Sequence, residues 1–193
     1  MLNTLSATLR KHASGWLVLV FFAGALLFNA VILPAQQAGL AAISGGATPI
    51  DLEFFYTPGK VYSMVAAYGE AGRADYRTFV LTGDIIYPIV YTSFFALLIT
   101  WLFRRGFAPH SSMQTLNVLP LGAWLFDLLE NLGVAGMLSM YPSTPAGLAR
   151  AAAICTLGKW LFVGACILLI LTGIVMALRN GFKQQKVAGP ARV

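Results

Sequence analysis

Four long apolar runs dominate this chain and limit the folds that it can adopt. They cover residues 15–34, 79–103, 116–141 and 148–178. A helix of about 20 residues, at about 1.5 Å per residue, crosses a hydrocarbon core of about 30 Å. Only 10% of the residues are charged, against about 25% in a soluble domain. The sequence therefore predicts an all-α fold, a polytopic integral membrane four-helix bundle that forms one domain over residues 1–193.

The first run can be interpreted either as a secretory signal or as an uncleaved span. The apolar core of a signal peptide has about 7 to 15 residues, whereas this run is longer and three further runs follow it. We therefore interpret it as the first span of the bundle.

The positions of the basic residues predict how the bundle is oriented. Lys and Arg without acidic neighbours occur before the first run, between the second and third runs, and in the tail over residues 179–193: Arg10, Lys11, Arg104, Arg105, Arg179, Lys183, Lys186 and Arg192. The positive-inside rule places these segments in the cytoplasm. We expect a multi-pass protein of the cell's inner (cytoplasmic) membrane, with both termini cytoplasmic and the loop over residues 35–78 extracytoplasmic.

The net charge of +6 raises the question of a nucleic-acid partner. The basic residues flank apolar runs and are not interleaved with aromatic residues in a polar patch. This pattern indicates contacts with anionic lipid head groups, so we expect membrane lipids as partners and no nucleic acid.

The first loop contains the signals of a short helix. Thr57 and Pro58 form a helix start, and Val61, Met64 and Val65 follow at helical spacing. The pattern predicts an amphipathic helix on the extracytoplasmic face of the bundle.

Polar residues inside the apolar runs are the most informative part of the sequence. An ionised group at mid-bilayer costs about 2.5 to 3.5 kcal/mol, so these side chains should face the bundle interior. Counted from the outer end of each span, they fall in the outer half of the bilayer, and Asp127 is the deepest. They are Asn29, Asp84, Asp127, Glu130, Asn131 and Lys159.

Helical spacing groups these residues with aromatic neighbours. Asp84, Tyr87 and Tyr91 share one face of the second span, and Trp124 shares a face of the third span with Asp127 and Asn131. Pro88 removes a backbone donor and leaves the carbonyl of Asp84 without its helical partner. We predict a polar ligand-binding pocket formed by Asn29, Asp84, Tyr87, Tyr91, Trp124, Asp127, Glu130, Asn131 and Lys159.

A purely structural role explains the same residues. Lys159 can pair with Glu130 or with Asp127, and Asn131 can bond to a neighbouring backbone, which joins helices at about 0.6 to 2 kcal/mol per contact. The sequence leaves both interpretations open.

No motif of known chemistry narrows the function. The spans contain no histidine that would bind haem, and Asp127 and Glu130 lack a histidine partner for a metal. We predict no cofactor and no metal site, and the sequence does not decide whether the protein is an enzyme. Cys155 and Cys166 are interpreted as packing residues.

Three functions fit these observations. The first is binding of, or action on, a lipid-like small molecule in the polar pocket. The second is a non-catalytic subunit or assembly factor of a larger membrane complex, and the third is a small proton- or cation-coupled transporter, which a four-span chain would build as a homo-oligomer. The plan resembles the four-helix sterol-binding and isomerase-type membrane proteins in architecture alone, so it implies no residue roles.

Overall fold

The computed structural model describes the backbone of residues 2–188 and the side chains of residues 2–182. Residues 189–193 of the predicted tail, which include Arg192, and the side chains of Lys183 and Lys186 lie outside the described part. Within residues 2–188 every regular element is helical and none is a strand. The main helices are α1 (Leu2–His12), α2 (Gly15–Ser44), α3 (Pro58–Ala67), α4 (Gly69–Val80), α5 (Gly83–Gly106), α6 (Pro120–Met140) and α7 (Ala146–Ala188).

Four helical segments of the described chain are long and apolar enough to cross a membrane. They are Gly15–Ser44, Gly69–Gly106, Ser112–Met140 and Ala146–Phe182. The prediction of an all-helical chain with four such segments is confirmed. The segments extend beyond the predicted runs, and the loop between the first two is correspondingly shorter, over residues 45–68.

Helix α2 passes Pro34 without ending because its winding changes just before that residue. Phe28–Ile32 form one turn of π-helix, and the N–H of Leu33 bonds to the carbonyl of Phe28, five residues earlier. Such a turn absorbs a proline that cannot donate its own hydrogen bond. The helix therefore continues to Ser44 and ends at Gly45, which has a φ of 70°.

Helices α6 and α7 pack closely through small residues. A Cβ added at Gly133 would lie only 2.8 Å from the Cβ of Ala152, and one at Gly158 would lie 2.6 Å from the ring of Phe126. Glycine at these positions allows the two backbones to approach. This close approach brings α6 side chains into contact with α7.

The loop over residues 45–68 packs onto one end of the bundle, which we call the loop end. Ile50, Tyr56, Val61 and Val65 from the loop are buried in one apolar core with side chains of α4, α6 and α7, among them Met137. Thr57 caps the N-terminus of helix α3, and its side chain accepts a hydrogen bond from the N–H of Lys60. The loop is thus a packed part of the structure.

Candidate functional site

A cavity of about 480 Å³ lies between α2, α5, α6 and α7 toward the loop end. Its volume is within the range of about 300 to 1,000 Å³ that is typical of small-molecule sites. The turn Ile50–Leu52 closes it on the loop side through Asp51 and Leu52. Its lining consists of Phe22, Ala25, Leu26, Asn29, Leu33, Asp51, Leu52, Asp84, Tyr87, Tyr91, Phe94, Phe95, Asp127, Lys159, Trp160 and Val163.

Asn29 lies in the π-helical turn of α2 and ties this helix to α5. Its side-chain nitrogen donates to the carbonyl of Ala25 at 2.8 Å and to the hydroxyl of Tyr87 at 2.9 Å. Because Tyr87 accepts from Asn29, its own hydroxyl hydrogen remains available, and no described residue accepts it. Tyr87 therefore presents a hydrogen-bond donor beside the cavity.

The backbone of Asp84 is held by Asn131. Pro88 lies inside α5, so it cannot donate the helical hydrogen bond to the carbonyl of Asp84. The side-chain amide of Asn131 donates to this carbonyl at 2.7 Å. Asn131 is buried and bridges α6 and α5, and it thereby fixes the first turn of α5 at the cavity.

The carboxylate of Asp127 has two neutral donors. The hydroxyl of Tyr91 donates to Oδ2 at 2.8 Å, and the amide of Asn131 lies 3.4 Å from Oδ1. Only 3% of Asp127 is exposed. A buried carboxylate needs such partners, because an isolated one would be strongly destabilised.

Lys159 and Glu130 form a buried ion pair between α7 and α6. The ammonium nitrogen of Lys159 lies 2.5 Å from Oε2 of Glu130, and the hydroxyl of Thr156 donates to Oε1 at 2.8 Å. Lys159 also borders the cavity, whereas Glu130 lies behind it. The purely structural interpretation of the sequence was that Lys159 pairs with Glu130 or with Asp127. Lys159 does pair with Glu130, and it also borders the cavity.

Tyr56 joins this network from the loop. Its hydroxyl lies 3.5 Å from the hydroxyl of Thr156, and burial raises the pKa of Tyr56 to about 12. The side chain therefore keeps its proton at neutral pH and acts as an uncharged polar group.

The carboxylate of Asp84 differs from the other acids of the site. Only 5% of the residue is exposed, it borders the cavity, and no hydrogen bond or ion pair reaches its side chain from the described residues. Its burial without a protein partner is unfavourable in an apolar surrounding.

Polar and apolar groups of the lining are separated along the bundle axis. Along α2 and α5, Asn29 and Asp84 lie nearer the loop than Phe22, Phe94 and Phe95, and the loop side also contains the apolar side chains of Leu33 and Leu52. The cavity is therefore amphiphilic, with a polar end at the loop and an apolar end toward the middle of the bundle.

The cavity opens between α2 and α7. Helix α2 packs along α5 and makes at most marginal contact with α7. Phe22 and Leu26, which border the cavity, are 47% and 55% exposed. A molecule can therefore reach the cavity from the side of the bundle.

The structure brings most of the predicted residues together. Asn29, Asp84, Tyr87, Tyr91, Asp127 and Lys159 border the cavity, and Glu130 and Asn131 contact these residues from behind. Trp124 is half-buried and, unlike the other predicted residues, neither borders the cavity nor contacts its polar groups in the described hydrogen bonds. Helical spacing gives the face of α6 on which Trp124 lies, but it does not give the depth at which the cavity ends.

Asp51 was not among the predicted residues. Its position depends on Tyr76, whose hydroxyl donates to Oδ1 of Asp51 at 2.6 Å and accepts from the N–H of Ile50 at 3.0 Å. This arrangement depends on the path of the loop, and no periodicity in the sequence reports it. Trp160, which also borders the cavity, packs on Phe54 with ring centroids 4.8 Å apart.

Comparisons with known proteins give no family assignment: no family model, no curated protein and no solved structure matches the chain. Within the described side chains, no three His, Cys, Asp or Glu residues converge as metal ligands. The geometry of the cavity is therefore the basis for assigning a function.

Proposed function

We propose that this chain is an integral membrane protein that binds a lipid-like amphiphile in the cavity between its four spanning helices. The observation that carries the proposal is the amphiphilic lining, with carboxylates at one end and aromatic and aliphatic side chains at the other. An amphiphile matches this arrangement because its head group and its chain have the same separation of polarity.

The orientation expected from the basic residues completes the proposal. With both termini in the cytoplasm, the loop end lies in the outer half of the inner membrane. Helix α3 then lies on the extracytoplasmic face, where it buries Val61 and Val65 and exposes Ser63. The gap between α2 and α7 would face the lipid phase, so a ligand that is dissolved in the bilayer can enter sideways.

Binding also gives the polar residues a role beyond joining helices. Lys159 and Glu130 satisfy each other, and Asp127 has two donors. The hydroxyl hydrogen of Tyr87 and the carboxylate of Asp84 remain free for a ligand in the described structure. Whether binding is followed by a proton transfer depends on the ligand, and the site offers both a donor and an acceptor.

A subunit role is the second candidate, and the exposed aromatic residues of the loop favour it. Phe54 and Phe55 are 64% and 60% exposed next to the loop end. Adjacent exposed aromatic residues are typical both of protein interfaces and of the membrane–water boundary. The two candidates predict different molecules bound to the extracted protein.

Native mass spectrometry of the protein extracted gently from its own membrane tests the proposal. We expect a retained small molecule of lipid-like mass. Val163→Trp places a larger side chain in the apolar end and should abolish retention, whereas Leu171→Trp, at an exposed position of the same helix outside the cavity, should preserve it. Retention of a protein partner without any small molecule, or equal retention in both variants, would contradict the proposal.

A further inference from the structure

We propose that the polar end of the cavity recognises a cationic head group, so that the ligand is an amphiphile with one apolar chain and an organic ammonium. This inference rests on the proposed function and specifies its ligand. The observations that carry it are the unpartnered carboxylate of Asp84, the charges around it and the cavity beside it.

The first step is the lack of a partner for Asp84. Only 5% of Asp84 is exposed, and the residue borders the cavity. A buried carboxylate is stabilised by an opposite charge or by hydrogen-bond donors. No described residue supplies either to Asp84, so an ionised Asp84 has to find its partner in the cavity, where a ligand with a positive charge can supply it.

The second step is the balance of charge around the cavity. Asp51, Asp84 and Asp127 border it, and the one basic side chain in its lining is Lys159. The charge of Lys159 is already paired with Glu130 at 2.5 Å. A phosphate or carboxylate head group would therefore meet uncompensated acidic groups, whereas an ammonium would be attracted to them.

The third step concerns the size of the cation. The three aspartates come from different elements: Asp51 from the turn Ile50–Leu52, Asp84 from α5 and Asp127 from α6. Among the described side chains they do not converge closely enough to coordinate a metal ion. An organic ammonium that donates several hydrogen bonds in different directions can contact acids that are spread in this way.

Aromatic rings add a second contribution near the same end. The rings of Tyr87 and Tyr91 have centroids 5.1 Å apart, and Phe28 stacks on Tyr87 at 5.2 Å. Tyr87 and Tyr91 both border the cavity. Any part of these rings whose face is turned toward the cavity would attract an ammonium group, and the attraction increases when water is excluded.

The remaining volume sets the size of the chain. The apolar end is bordered by Phe22, Phe94, Phe95 and Val163, and the whole cavity has about 480 Å³. This volume is that of a site for a drug-sized ligand. A cavity of this size indicates a ligand with one apolar chain.

Three probes with the same chain separate head-group chemistry from apolar binding. Dodecylamine, dodecan-1-ol and dodecanoate are titrated against the whole protein in nanodiscs of an uncharged lipid mixture, and bound ligand is counted by native mass spectrometry. We expect dodecylamine to bind about 10-fold or more tightly than dodecan-1-ol, which corresponds to about 1.4 kcal/mol, and dodecanoate to bind most weakly.

Asp84→Asn is the decisive variant. It should weaken dodecylamine binding by about 30-fold or more, because a buried charge partner is lost, and it should leave dodecan-1-ol binding unchanged. Glu70→Gln is the matched control, since Glu70 is an exposed acid at the same end of the bundle that does not border the cavity. If Asp84→Asn does not fold, Asp51→Asn is tested in the same way and should also reduce the preference for the amine.

The outcomes separate the two proposals. Binding of all three probes with no preference for dodecylamine, or a preference that persists in the Asp84 or Asp51 variant, would overturn the cationic head group but leave amphiphile binding intact. Failure of the wild-type protein to bind any of the three probes would contradict the proposed function itself.

Discussion

The side-chain amide of Asn131 donates a hydrogen bond of 2.7 Å to the backbone carbonyl of Asp84, the carbonyl that Pro88 deprives of its helical partner. A side chain of α6 thus replaces a backbone donor of α5. The hydrogen bond from Asn131 allows a proline inside this long apolar helix, because the carbonyl of Asp84 remains bonded.

The relationship between Asn131 and Pro88 predicts a rescue. Asn131→Leu leaves the carbonyl of Asp84 buried and unbonded, which should cost about 1 to 3 kcal/mol of unfolding free energy. Pro88→Ala restores a backbone N–H at position 88, so the double variant should recover part of that loss. The measurement is reversible unfolding in mixed micelles of dodecyl maltoside and dodecyl sulfate.

Pro88→Ala alone is the control for the effect of proline on the unfolded chain. The rescue is judged after the effect of the single variant has been subtracted, as in a double-mutant cycle. Simple additivity of the two substitutions would show that Asn131 does not compensate for Pro88.

The described side chains include two ion pairs of the same length in different surroundings, and we predict that losing each pair has a different effect on the free energy of unfolding. Lys159–Glu130 and Lys60–Glu53 both have nitrogen–oxygen distances of 2.5 Å, but the side chains are 10% and 0% exposed in the first pair and 50% and 30% in the second. Lys159→Met should cost about 3 to 5 kcal/mol, because it leaves Glu130 buried and unpaired. Lys60→Met should cost about 0 to 1 kcal/mol.

The same micelle unfolding assay compares the two lysine variants. Adding Glu130→Gln to Lys159→Met should recover much of the stability, since the uncompensated charge is removed. Equal losses for Lys159→Met and Lys60→Met would contradict the buried network.

The expected orientation can be tested with single cysteines. In a Cys155→Ala, Cys166→Ala background, Ser63→Cys in the loop helix and Ser112→Cys at the opposite end are both at exposed positions. A membrane-impermeant maleimide should label position 63 in intact cells and position 112 only after permeabilisation. The reverse pattern would place the loop end in the cytoplasm and would contradict the orientation given by the basic residues.

The helical architecture could be predicted because hydropathy and the lengths of the apolar runs can be read from the sequence alone. The ends of the helices could not. The first predicted run ends at residue 34, but a hydrogen bond from the N–H of Leu33 to the carbonyl of Phe28, five residues back, allows α2 to continue to Ser44. A change of winding depends on the surrounding packing, and hydropathy does not report it.

The candidate site was predictable where helical spacing was sufficient. Asp84, Tyr87 and Tyr91 share a face of α5, and all three border the cavity. Trp124 shares a face with Asp127 yet does not border it, because spacing does not fix the depth of the cavity. Asp51 required the folded loop and its bond to Tyr76, and this contact has no signature in the sequence.

The most direct test of ligand binding in the cavity uses its tryptophan. Two variants are compared, each retaining one of the four tryptophans and carrying phenylalanine at the other three. One retains Trp160, which borders the cavity, and the other retains Trp124, which does not. The protein in nanodiscs is titrated with 11-bromoundecan-1-ol, whose bromine quenches tryptophan fluorescence on contact. We predict saturable quenching of Trp160 that excess dodecan-1-ol reverses, and only weak, non-saturating quenching of Trp124. The same non-saturating response at both tryptophans would show that the amphiphile contacts the protein only as bulk lipid does, and it would contradict binding in the cavity.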